Sequence, residues 1–193
     1  MRQQRSAAWI AAACLAVAAQ QATAETAPSP YAGEEARTIK ALSAADVEGL
    51  LAGQGAGYAK AAELNGYPGP MHALELRERL QLDAGQVSAT EALMAGHKAR
   101  ARALGVALVQ AERRLDALFA KRRAEPAAVD GATREVALLQ ARLRAEHLNT
   151  HLAQTALMSA GQVRQYGVLR GYAEPVIPGT EGGTAPTHQR SHH

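Results

Sequence analysis

The sequence predicts an all-α chain: an elongated helical hairpin or cradle of four to five helices, with long heptad-patterned helices as its body. Three observations carry this. A helix-start spacing, an apolar residue before Ser or Asp with an acid or amide three positions on, occurs three times. Mostly apolar residues recur at alternating steps of three and four from Val87 to Leu118. Turn-forming Gly and Pro punctuate the helical segments, as in Tyr67-Pro68-Gly69-Pro70 and before Pro126.

Residues 1–24 read as a cleavable signal peptide. Arg2 and Arg5 open it, Ala7 to Ala19 form its apolar centre, and Ala22-Thr23-Ala24 has the small-x-small form of a cleavage site. That centre is about 13 residues long, short of the roughly 20 that span a bilayer, so no stable membrane anchor is expected. Ala11-Ala12-Ala13 before Cys14 lacks the large aliphatic residue of a lipid-modified cysteine. Cleavage places the start at Glu25 and removes the single cysteine, leaving no disulfide and no thiolate for catalysis or metal binding.

Residues 25–42 form a flexible lead-in that carries Pro28 and Pro30, and 43–172 the helical domain. The three start motifs are Leu42-Ser43-Ala44-Ala45-Asp46, Leu82-Asp83-Ala84-Gly85-Gln86 and Met158-Ser159-Ala160-Gly161-Gln162. In each, the Ser or Asp oxygen accepts from a first-turn N–H and the third residue reaches back. Asp46 is the weakest third residue, since Glu or Gln fits best.

The first helix is expected over about 44–64, ending at Asn65-Gly66 and softened by Gly49, Gly53, Gly55 and Gly57. A short helix follows over about 71–81. The longest is expected over about 84–124, with a seam of Val87, Thr90, Met94, His97, Ala101, Leu104, Leu108, Ala111, Leu115 and Leu118. The returning helix, about 127–157, carries two apolar stripes: Val136, Leu139, Leu143 and Leu157, then Leu138, Leu148 and Leu152. Two stripes predict two neighbours. A last helix is expected over about 160–172, and 173–193, rich in Pro, Gly and Thr and ending in histidines, reads as a disordered tail.

Composition narrows the function classes. Lys and Arg number 21 against 18 Asp and Glu, and loss of Arg2 and Arg5 brings this close to balance. Aromatic residues make up 4% of the chain, too few for base-stacking platforms, so no nucleic-acid partner is expected. No Gly-x-Ser-x-Gly elbow and no phosphate loop ending in Gly-Lys-Ser or Gly-Lys-Thr occurs, which predicts a protein that is not an enzyme. Gly53-Gln54-Gly55-Ala56-Gly57 lacks both the spacing and the preceding strand of a dinucleotide loop.

Two constellations remain. His147 and His151, four apart on the returning helix, project from one side and suit a shared divalent metal, with His72, Glu75 and His97 as further candidates from other helices. The alternative is that His147 and His151 border an apolar stripe and His97 packs in the seam. The second constellation is basic: Lys98, Arg100, Arg102, Arg113, Arg114, Lys121, Arg122 and Arg123 meet only Glu112 and Asp116 between positions 97 and 123. Such a run is either a solvated face or a surface for acidic or unfolded partners.

The second and third start motifs resemble the Spy/CpxP family of periplasmic proteins, whose hallmark is a twice-occurring Leu-Thr-x-x-Gln. Leu82, Asp83 and Gln86 match its first copy, and Met158, Ser159 and Gln162 its second; Asp83 and Ser159 replace Thr, and Met158 replaces Leu. The resemblance covers roughly residues 70–172, while Ala44 to Pro70 departs from it. It implies an antiparallel homodimer in the periplasm that acts as an ATP-independent chaperone for unfolded or misfolded envelope proteins. No cofactor is required for that role. Relatives of the ZraP and CnrX kind imply the alternative: a heavy-metal resistance protein or sensor, binding zinc, nickel, cobalt or copper and signalling to an envelope sensor protein.

Overall fold

Ser43, Asp83 and Ser159 each begin a helix, and each does so through a complete capping box. The computed structural model describes residues 29–174 and contains six α-helices: α1 (Ala44–Ala52), α2 (Lys60–Glu63), α3 (Pro70–Glu75), α4 (Ala84–Ala120), α5 (Pro126–Ala156) and α6 (Ala160–Leu169). A single 3-10 turn, Glu34–Ala36, precedes them. There is no strand among the described residues, and no helix among them is long and apolar enough to cross a membrane. The predicted signal peptide, and the predicted C-terminal tail apart from Ala173 and Glu174, lie outside the described residues.

The chain divides into two compact units, 1–33 and 34–193. Of the first, only 29–33 are described, a turn in which the Ala32 N–H donates to the Ser29 carbonyl. The second holds all six helices, and α4 packed on α5 is its principal contact.

The hairpin follows the predicted seam. Thr90, His97, Ala101, Leu108 and Ala111 of α4 are buried, and Val87, Met94, Leu104, Leu115 and Leu118 are partly so. Val136 and Leu143 of α5 face them within one apolar cluster that also takes in Ile39 and Leu50. Burying a leucine such as Leu108 or Leu143 contributes about 2 kcal/mol. Toward the start of α4 the seam turns polar: the Gln154 amide donates to Thr90 Oγ1 at 3.2 Å, deep in the interface.

Two helix ends depart from the predicted positions through the same left-handed closure, whereas the helix expected over 71–81 is regular only over Pro70–Glu75, where Leu76 has φ −99°. The expected first helix stops at Ala52, because Gly53 takes a left-handed φ of 71°. Its N–H and that of Gln54 then close on the Leu50 and Gly49 carbonyls. A seven-residue loop follows, and only the single turn α2 continues. The same closure ends α4 at Ala120, four residues early, with Arg122 at φ 52°. At 37 residues α4 is about 55 Å long.

Ile39 and Leu42, within the predicted lead-in, pack on the core, and the Lys40 N–H donates to Asp116. Where α1 crosses α4, a Cβ on Gly105 would stand 2.0 Å from the Leu50 carbonyl oxygen. No residue larger than glycine lets the two backbones approach this closely.

A second, smaller cluster joins α3 and α6 through Ala73, Leu80, Met158 and Tyr166. The two glutamines of the doubled motif meet beside it. Gln86 Nε2 and Gln162 Oε1 lie 2.9 Å apart, as do Gln162 Nε2 and Gln86 Oε1. Gln86 also donates to the Leu157 carbonyl, and Gln162 to that of Gln81. Each motif therefore caps its own helix and ties it to the other.

Candidate functional site

A cleft of about 580 Å³ opens between the 53–57 loop, α2, the start of α3, and the faces of α4 and α5. It forms because Gly53 turns the chain away from α1 and the loop passes in front of α5. His147 and His151, predicted on one helix, and His72 and His97, predicted on two others, all line it.

His97 is held by Glu146 and Thr150. Its Nδ1 lies 3.1 Å from Glu146 Oε1 and 2.9 Å from Thr150 Oγ1, whose hydroxyl donates to the Glu146 carbonyl. Burial pushes the Glu146 carboxyl up, but its hydrogen bonds to Arg100 and His97 outweigh this and hold it below the ordinary carboxylate value. His151 Nδ1 donates to the Tyr67 carbonyl at 2.8 Å and lies 3.6 Å from Glu63 Oε2. In both rings Nδ1 carries the proton, so a neutral ring keeps its lone pair on Nε2.

His147 differs. It is 5% exposed, its ring packs edge-on against His97 with centroids 4.6 Å apart, and Gly55 lies beside Cε1 and Nδ1. Neither ring nitrogen has a hydrogen-bond partner among the described residues, and Nε2 is fully buried. Burial first, then the neighbouring His97, lowers its pKa to about 4. At neutral pH the ring is uncharged.

Glu63 anchors the far wall. Its Oε1 accepts from the Tyr166 hydroxyl at 2.7 Å, Arg170 Nε at 3.2 Å and the Tyr172 hydroxyl at 3.3 Å. Tyr166 is fully buried and also accepts from the Gly69 N–H. Burial and the Glu63 carboxylate push its hydroxyl pKa up. Gly69 itself packs against His151, where a Cβ would lie 2.8 Å from Cε1.

The predicted metal candidates thus converge only in part. His97, His147 and His151 come from α4 and α5, and His72 enters from α3, its Nδ1 paired with Glu75 at 2.8 Å; Glu75 does not line the cleft. As the side chains stand, no three His, Cys, Asp or Glu groups among the described residues lie close enough to hold a metal ion.

The basic run does not form one face. Lys98 and Arg102 line the cleft, Arg100 pairs with Glu146 and Arg114 with Glu135, and Lys121, Arg122 and Arg123 sit exposed at the turn into α5. Arg113 is exposed on α4. Of the two acids in the run, Glu112 is only 7% exposed, with its carboxyl pushed up by burial, and Asp116 is engaged by Lys40.

Nothing local in the sequence distinguishes Glu63 from any other helical glutamate. The second stripe of α5 was expected to meet a neighbour, yet Leu138 and Leu152 are each 52% exposed. Comparison with protein-family models, with curated proteins and with solved structures gives no match.

Proposed function

We propose that this chain is a non-enzymatic, exported stress protein that binds unfolded envelope proteins without ATP, as its resemblance to the Spy/CpxP family implies. One observation supports this most: among the described residues no helix covers the second stripe of α5. Leu138, Ala141, Ala145, Leu148 and Leu152 follow heptad steps, and all but the half-buried Leu148 are exposed. A groove of about 570 Å³ runs beside them, lined by Tyr58, Ala137, Gln140 and Arg144, with the Arg144 guanidinium 5.3 Å from the Tyr58 ring centre. An apolar stripe edged by Arg142 and Arg144 offers both contacts that an unfolded segment needs. Export and a homodimer belong to the same proposal. Light scattering of an aggregating client tests it: suppression at stoichiometric amounts in low salt is expected, and none would overturn the reading.

A second reading, a metal-binding sensor or resistance protein, is favoured by the gathering of His97, His147 and His151 on one wall. Carbonyl and carboxylate acceptors on Nδ1 of His97 and His151 are the supports that metal-binding imidazoles use. Calorimetric titration with zinc, nickel, cobalt and copper tests it on a chain ending near Tyr172. Binding lost in the His147→Ala, His151→Ala double variant is the expected result, and unchanged affinity would remove this site.

A further inference from the structure

The histidine cleft carries positive charge that neither reading uses. Lys60, Lys98, Arg102 and Arg170 line it, against Glu63 as the only carboxylate among the described residues there, which is already held by Arg170, Tyr166 and Tyr172. Lys60, Lys98 and Arg102 form no ion pair among the described residues; Arg102 Nε only approaches the Ala52 carbonyl at 3.4 Å. The 53–57 loop runs between two of these cations. Arg102 Cγ lies 3.0 Å from where a Gly53 Cβ would stand, and Lys60 Cε lies 3.6 Å from the equivalent point on Gly57. Within the loop, the amides of Gly55, Ala56 and Gly57 donate to no backbone carbonyl among the described residues.

The independent observation is His147, buried to 95% and lining this cleft, whose Nε2 has no hydrogen-bond partner among the described residues. A buried imidazole left unpaired is costly, and a ligand that accepts its N–H removes the cost. Met71, Met94, Ala59 and Pro70 give the lining an apolar part. A volume of about 580 Å³ lies within the range of small-molecule sites.

We infer that the cleft binds a small organic anion, a carboxylate on a short apolar body. Its carboxylate is held between Arg102, Lys98 and the loop amides with His147 as a neutral donor, and its chain lies along Met71 and Met94. The same wall carries the metal reading, but its excess of cations repels a divalent ion and attracts an anion. The inference does not depend on client binding, which uses the opposite stripe residues of α5.

Calorimetry of the purified protein with octanoate, inorganic phosphate and zinc, each alone in low salt near pH 7.5, separates the possibilities. Saturable octanoate binding is expected, weakened by about tenfold or more in Lys98→Ala with Arg102→Ala. The charge-matched pair Arg79→Ala with Arg134→Ala, away from the cleft, should bind as the parent does. Circular dichroism melts confirm that each pair is folded. Absence of octanoate binding overturns the inference, and zinc binding in its place transfers the cleft to the metal reading. Phosphate binding as tight as octanoate overturns the apolar part of the assignment. Octanoate binding that survives the cleft pair but is lost in Leu138→Ser with Leu152→Ser overturns the location.

Discussion

His147 is where burial, charge and hydrogen bonding conflict most. The fold keeps its ring neutral down to about pH 4, whereas in the unfolded chain it takes a proton near 6.5. Between those values the unfolded state binds more protons, so stability falls as pH falls through that window and is flat above and below it. The loss amounts to at most about 3 kcal/mol. Urea denaturation across pH 4–7.5 should show this slope in the parent and its reduction in His147→Gln. An equal slope in both would mean that the ring is not held neutral by the fold. The position was readable from the sequence as a pair with His151, four residues away; its burial was not. The groups that bury it, His97 and the Gly55 loop, come from distant parts of the chain. The three capping boxes show the converse. Each is complete within four residues, so spacing alone locates it, even at Ser43, where Asp46 is the weaker partner.

At the scale of elements, α4 and α5 were legible because a heptad seam persists for many turns and outweighs any single residue. The first helix was not. Summed propensity across 44–64 favours one helix, but a left-handed Gly53 with its two closing hydrogen bonds ends it at once. Placement of α1 on α4 rests on Gly105. Gly105→Ala sets a methyl group against the Leu50 carbonyl, and the helices must separate, opening the cluster around Leu50, Ala101 and Leu108. A loss of about 3 kcal/mol in denaturant unfolding is expected, at the upper end of overpacking costs. An unchanged midpoint would show that α1 does not sit where the crossing requires it. The pairing of Gln86 with Gln162 adds a link that no local pattern reveals, since it spans 76 positions of sequence and needs both caps in place.

At the scale of the whole chain, the all-helical hairpin was legible and the cleft was not. Periodicity reports which residues of one helix share a face, while the cleft is assembled from a loop and several helices whose mutual placement depends on Gly53, Gly105 and the Glu63 anchor. The basic run shows the same limit. Read along the sequence it is one patch, but two of its members are neutralised by α5 and two turn into the cleft. What remains as a broad contact surface is the exposed stripe of α5, and the central proposal rests on it. Light scattering of an aggregating client, with the parent protein and a folded Leu138→Ser, Leu152→Ser variant compared at equal concentrations, tests that proposal most directly. Suppression of aggregation by the parent and loss of most of this effect in the variant are the expected results, since two half-exposed leucines supply much of the stripe's apolar contact. Equal suppression by both proteins, or none by the parent, would contradict it.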